Sequence, residues 1–488
     1  MHSHHKDGVN FDSNRHNLNI ERRIMERGDV FNIDTKNNNS SKYFKEQNNL
    51  EQNNFGEITG RSYQSVEIDQ GMPMRDFLSD TNQKNTETLQ NPFVDFNLYS
   101  SDSQQNINYN DTSSHESFGN LQTENANTYS NEIAPTQYIN PITIVSTVIN
   151  SFGSYIFKAI ETNFKHSRIV ISPVNLILPF MVIYLGSSGD TTKYLKDIFS
   201  FPDKSTLLKV MSEVKRYIKD HNYIMDNNTL LLPSDTPSNK AFSHHVDRLC
   251  TLDHYNKNNN INETIRLNNN IYKSSHRVIK DVLSTNTINN KSSIISINTI
   301  IMKTKWKQPF SKSKTRIEQF YGINKKNVEM MTMGKCNHKF SEDEHNYVLE
   351  MDMINDYSMA FVVSKNSEVN LTFEQINYYN NNMRNVTFDV VKIPKFKYQC
   401  RYRIDNIMKK IGINDLFDNI NLDNMCTSNV NISEVIHHVV ISVDEGGDGN
   451  EPHSDVNSSS NEFIINRPFS YYVTHKLTNN VILIGSYN

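Results

Sequence analysis

Residues 433–469 read SEVIHHVVISVDEGGDGNEPHSDVNSSSNEFIINRPF, and three regimes follow one another in them. Val435–Val443 is apolar and rich in β-branched residues, which reads as a buried strand. Asp444–Asn461 is almost bare of apolar side chains and carries Gly446, Gly447, Gly449, Pro452 and the run Ser458–Ser460. Such a stretch has nothing to pack and is expected as an exposed loop. Phe463–Phe469 is apolar again, and His475–Asn488 (HKLTNNVILIGSYN) suits a hairpin turning at Thr478-Asn479-Asn480. A strand, a long solvated loop and closing core strands form an uncommon order, and loops of that length inside a domain are usually functional.

Working outward, the chain divides by composition. Over 488 residues only 36 % are apolar, and mean hydropathy is −0.62. The deficit sits in residues 1–140, where Asn, Gln, Ser and Asp dominate and no helical or strand period is sustained. Too little apolar surface is present there to offset ordering entropy, so 1–140 is expected to be a disordered tail. From Pro141 the pattern changes. Ile144, Val145, Val148, Ile149, Phe152, Tyr155, Ile156 and Ile160 recur at helical spacing. Ile169–Ile171 reads as a strand. Ser172-Pro173 opens a helix reaching Tyr184, in which Pro179 predicts a kink or break. Further helices are expected over Thr191–Phe199, Leu207–Ile218, Tyr402–Ile411 and Asp415–Phe417. Strands are expected at Leu230–Leu232, Ile295–Trp306, Val348–Met353, Met359–Val363 and Val386–Pro394. Helices first and mainly strands after, without βαβ alternation, indicate an α+β domain over 141–488.

Several function classes are excluded or left without support. Net charge is −4, so there is no general basic field for nucleic acid. Cys250, Cys336, Cys400 and Cys426 lie far apart with no CxxC, and they read as free thiols. No metal site or cofactor motif is found, and no GxSxG, HExxH, P-loop or GxGxxG occurs, so an enzyme is not indicated. His437-His438 lies in a strand, where neighbours face opposite ways, which argues against a two-His metal site. The most apolar run, Ile169–Leu185, holds two prolines and is short for a membrane span. Met1 is not followed by the apolar core of a secretory signal, which favours a cytoplasmic location over an extracellular one.

Separated anchors, in order, resemble the serpin family. They are Ile171-Ser172-Pro173-Val174 with Tyr184-Leu185-Gly186 and Gly189-Asp190-Thr191, then LNNNIYKSSHRVIKDVL at 267–283 and NTIIMKTKWKQPF at 298–310. Val328-Glu329-Met330-Met331, Ile393-Pro394-Lys395-Phe396 and the C-terminal stretch through Arg467-Pro468-Phe469 complete the set. The resemblance covers about Pro141 to Asn488. It implies a serpin fold of one large mixed central sheet, two smaller sheets and about nine helices. It also implies that Ser172, Asn298 and His437 form a hydrogen-bonded cluster under the opening of that sheet, and that Trp306 stands at its top, where a protease bait loop enters. A serine or cysteine protease, or else another protein, would be the partner of a monomeric chain.

In inhibitory serpins the cleaved loop inserts as a new central strand. Glu445 aligns with the family's hinge glutamate, and here Gly446, Gly447, Asp448, Gly449, Asn450, Glu451 and Pro452 follow in place of a threonine and a run of alanines. Alternation puts Asp448, Asn450 and Pro452 on the inward face. An unpaired buried carboxylate costs several kcal/mol, and proline cannot donate to a ladder. The loop is also shorter than in inhibitory members, and by spacing its bait bond falls near Asn461–Glu462. These departures point to a non-inhibitory binding or interaction member with an exposed loop over 445–462; a suicide inhibitor of an endopeptidase is the alternative.

Overall fold

In a computed structural model, the structure describes residues 65–67, 140–164, 167–219, 223–322, 325–366, 371–418, 420–447 and 461–488. Asp448, Gly449, Asn450 and Pro452 lie outside the described residues, as does all of 1–139 except Ser65–Glu67. Those three residues form strand β1. β1 belongs to the compact unit Ser62–Asn488.

Among the described residues there are eight α-helices, against the nine expected, and three sheets of six, seven and four strands. Helix α1 (Pro141–Asn163) follows the spacing seen in the sequence, and the Asn140 side chain caps it by accepting from Ile142 N–H. Strand β2 (Ile169–Ile171) leads into α2 (Pro173–Gly186), which runs unbroken through Pro179 and is buried at every residue except Leu185. Then come α3 (Gly189–Phe199) and α4 (Lys204–Lys219).

The central sheet has the order β1-β13-β14-β5-β3-β4. Its members are β3 (Ile224–Pro233), β4 (Thr251–Tyr255), β5 (Ile294–Lys303), β13 (Phe396–Arg403) and β14 (Ile432–Val443). β14 runs parallel to β5, pairing His437 with Asn298 and Ser442 with Lys303. The outer contacts of this pair are antiparallel, β13 on β14 and β3 on β5, so the sheet is mixed.

Both faces of β5 and β14 are covered, which explains their near-continuous apolar sequences. One face carries Ile300, Met302, Val435, Val439 and Ile441 into the main core with α1 and α2. The other carries Ile295, Ile297, Ile301, Ile436 and Val440 into a second cluster with Leu267 and Ile271 of α6 (Asn260–Ser274). On the chain path the short α5 (Lys240–Val246) lies between β3 and β4.

The four-stranded sheet joins β6 (Arg316–Tyr321), β7 (Lys325–Met333), β12 (Val390–Pro394) and β15 (Glu462–Ile464). The seven-stranded sheet joins β2, β8 (Cys336–Glu342), β9 (Asn346–Asp352), β10 (Tyr357–Ser364), β11 (Arg384–Phe388), β16 (Phe469–His475) and β17 (Asn480–Tyr487). By strand count the central sheet is therefore not the largest. The single strand expected at Val386–Pro394 is two, β11 and β12, in different sheets. The β16–β17 hairpin turns where the sequence indicated, with Asn479 at φ +54°. Helices α7 (Phe373–Asn381) and α8 (Ile404–Lys410) complete the set; Tyr402 ends up in β13, and Asp415–Phe417 is a turn.

Candidate functional site

The long loop leaves the top of β14, and its first residues are tied down atom by atom. Trp306 is only 3 % exposed and donates from Nε1 to the Asp444 carbonyl at 2.8 Å. Thr304 donates its hydroxyl to the same carbonyl and accepts from Asp444 N–H at 3.1 Å. Lys303 Nζ lies 3.2 Å from the Asp444 carboxylate, which also accepts from Gly446 N–H at 2.9 Å. Phe310 N–H donates to the Glu445 carbonyl at 2.9 Å.

Glu445 itself is 4 % exposed, so the stretch 445–462 does not begin as an exposed loop. Its carboxylate sits 3.0 Å from Lys395 Nζ and accepts from Thr315 Oγ1 at 2.9 Å. Burial by itself would raise its pKa, but these bonds from Lys395 and Thr315 hold it below the usual carboxylate value. Gly446 has φ +78°, and a Cβ there would lie 2.4 Å from Trp306 Cδ1. Backbone conformation and the tryptophan ring both require glycine at this point. Gly447 is half-buried, and a Cβ on it would meet only Pro309, at 3.4 Å.

The far end of the loop is held as well. Asn461 N–H reaches Asp389 Oδ2 at 3.3 Å, its side-chain amide donates to the Thr387 carbonyl at 2.6 Å, and Asp389 N–H donates to the Asn461 carbonyl at 2.9 Å. Glu462 begins β15, opposite Val390. The Asn461–Glu462 bond thus sits where the chain enters strand β15.

Midway down the sheet the second group of residues comes together. Asn298 and His437 are register partners on the face towards α2, both 1 % exposed. Ser172, at the N-cap of α2, donates its backbone N–H to His437 Nε2 at 3.0 Å. The ring is therefore neutral, with its proton on Nδ1. The Ser172 hydroxyl, which the resemblance placed in this cluster, has no hydrogen-bond partner, nor does His437 Nδ1. Asn298 Nδ2 donates to Ser296 Oγ at 3.1 Å. Burial pushes His437 down to about 3 and, on the opposite face, His438 down to about 4, where its Nε2 lies 3.2 Å from Gln399 Oε1.

Two parts of this site were not read from the sequence. One is Lys395, the partner of the hinge glutamate. The other is a buried ion pair of Lys215 on α4 with Asp226 on β3; Asn175 of α2 and Asn228 donate to the same carboxylate at 2.9 and 2.7 Å. The signal for the second was polar residues inside apolar runs, since Asn175 sits in the most apolar helix of the chain.

Among the described residues no group of three or more His, Cys, Asp or Glu could hold a metal ion. No helix there is long and apolar enough to cross a membrane. All four cysteines are free, and burial raises the thiols of Cys250 and Cys400 to about 12 and about 11.

Comparison with known proteins adds independent findings. The family model described as Serpin (serine protease inhibitor) matches residues 147–488. A leukocyte elastase inhibitor of Xenopus tropicalis is 24 % identical over 70 % of this chain and 99 % of its own length. An uncharacterized serpin-like protein of Methanosarcina acetivorans is 24 % identical over 69 % of this chain and 85 % of its own. The fold resembles native protease nexin-1, crystallised with heparin (TM-score 0.65, 20 % identity, 72 % of this chain and 100 % of that one). It also resembles uncleaved ovalbumin (TM-score 0.64, 19 % identity, 71 % and 99 %).

Proposed function

Because this chain belongs to the serpin family, we propose that it is a non-inhibitory member, a binding protein whose loop is a plain protease substrate. The observation that carries this reading is the contrast between the fixed hinge and the residues after it. Glu445 and Gly446 are locked outside the sheet by Lys395, Thr315 and Trp306. What would have to enter next is Asp448, Asn450 and Pro452. An unpaired carboxylate and a missing ladder donor both oppose a new central strand. Neither this reading nor its alternative has the chain catalyse a reaction.

One observation favours the second reading, a suicide inhibitor of a serine or cysteine endopeptidase. β5 and β14 pair directly with each other in parallel, so the slot such a mechanism fills is present and closed. The full-length protein, challenged with a panel of serine and cysteine endopeptidases, separates the two. We expect cleavage between Gly447 and Asn461, no complex surviving a denaturing gel, and little change in Tm. A denaturant-resistant complex, or a steep rise in Tm on cleavage, would sink the non-inhibitory reading.

A further inference from the structure

We infer that the outer edge of β13 is a strand-docking edge, and that Ser65–Glu67 of the chain's own N-terminal sequence is the strand built to fill it and keep other chains off it. This rests on the edge alone and is independent of whether the loop inhibits. β13 spends one side on β14 from Phe396 to Arg403. A bare row of N–H and C=O groups along its other side would be a template for any extended chain.

The edge has a definite requirement. Along β13 the residues Phe396, Tyr398, Cys400 and Tyr402 are buried, and Lys397, Gln399, Arg401 and Arg403 are half-buried. A strand docked there in parallel needs an apolar residue opposite Cys400 and polar residues opposite its neighbours, since paired residues share a face. β1 meets this requirement, with Ser65 opposite Gln399, Val66 opposite Cys400 and Glu67 opposite Arg401. A slip by one residue would set Val66 against a polar neighbour and Glu67 against a buried one.

Charge agrees with register. Arg401 has a buried Nε without a hydrogen-bond partner, and the residue facing it across the ladder is an acid. Arg403, two positions on, is already paired with Asp405 and Glu434. The sequence continues Ile68-Asp69, extending the apolar–polar alternation, with Gly60 and Gly71 bounding the stretch. Covalent attachment gives the segment an effective concentration on the order of millimolar, so it outcompetes micromolar free strands of similar fit.

The full chain tests this in two ways. In Glu67→Cys/Arg401→Cys, mild oxidation should give a monomeric disulfide of altered gel mobility. It should form at least tenfold faster than in Glu124→Cys/Arg401→Cys, at a rate independent of protein concentration. Equal rates would overturn the register, and a product found only as a dimer would overturn docking within one chain. The second arm leaves the folded domain untouched. Val66→Pro should speed amide hydrogen exchange in peptides spanning Phe396–Arg403 by tenfold or more, whereas Val94→Pro should not. Unchanged exchange in Val66→Pro would overturn the proposal even if the cysteine variants fail to fold.

Discussion

The top of the central sheet and its middle are both closed, but by different means. At the top, Asp444, Glu445 and Trp306 each find partners, and two glycine-specific constraints coincide at Gly446. In the middle, the polar groups are more deeply buried and less well served. Ser172 Oγ, His437 Nδ1, His438 Nδ1 and Asn175 Oδ1 have no hydrogen-bond partner. Each such orphan costs about 1–3 kcal/mol relative to a bonded one. The strands there are held by apolar packing on both faces instead. The comparison teaches that specific bonds latch the sheet at the loop's point of departure, while its centre carries unmet bonding capacity.

The largest expected effect probes the middle by pH. His437 has a folded pKa near 3 against about 6.5 unfolded, so the neutral ring contributes stability that is fully present above pH 6.5 and lost as pH falls towards 3. Glu434 works the other way. Burial raises it to about 7, although Arg403 lies 3.0 Å away, so its protonation adds stability as pH falls from 7 towards 4.5. The variant His437→Gln isolates the ring. Between pH 7 and pH 4 it should lose roughly 3 kcal/mol less than the parent in urea unfolding, and parallel curves would show that the ring is not buried neutral.

Next come the latch residues. Gly446→Ala forces a Cβ against Trp306 at a positive φ and should cost about 2 kcal/mol in chemical denaturation. A cost near zero would mean that the hinge is not fixed as described. Lys395→Met leaves the buried Glu445 carboxylate without its ammonium partner. We expect a loss of about 1–2 kcal/mol, reduced because Lys395 is a third exposed. That loss should vanish in the Glu445→Gln background if the two residues act as a pair. The smallest effect is Gly447→Ala, where the nearest atom is Pro309 Cβ at 3.4 Å; a change under about 0.5 kcal/mol is expected. A large effect there would extend the latch beyond Gly446.

The parts legible in the sequence were those where one physical cause dominates. β5 and β14 announced themselves as apolar runs because both of their faces are buried, and α1 did so by its period. β3 was read only at Leu230–Leu232, since Asp226, Asn227 and Asn228 look like a loop until Lys215 and Asn175 arrive from other elements. β6 was missed because Arg316–Tyr321 is largely exposed. β11 and β12 merged because Asp389 alone separates them. Ser172 and Asn298 both meet His437, Asn298 as its register partner and Ser172 through its backbone N–H and not its hydroxyl, a choice that side-chain identity does not encode. Lys395 could not be paired with Glu445 from sequence, because 50 residues and a change of sheet separate them.

The tryptophan at the hinge has a practical consequence. It is the only one in the chain, its ring is packed on Gly446 and its indole N–H is spent on Asp444. Intrinsic fluorescence excited at the indole band therefore comes from one address. Any event that pulls the loop's first residues away from the sheet would hydrate that ring and shift its emission to the red, while events at the β13 edge would leave it unchanged. The protein carries its own optical gauge of hinge release, usable without a label and on a stopped-flow timescale.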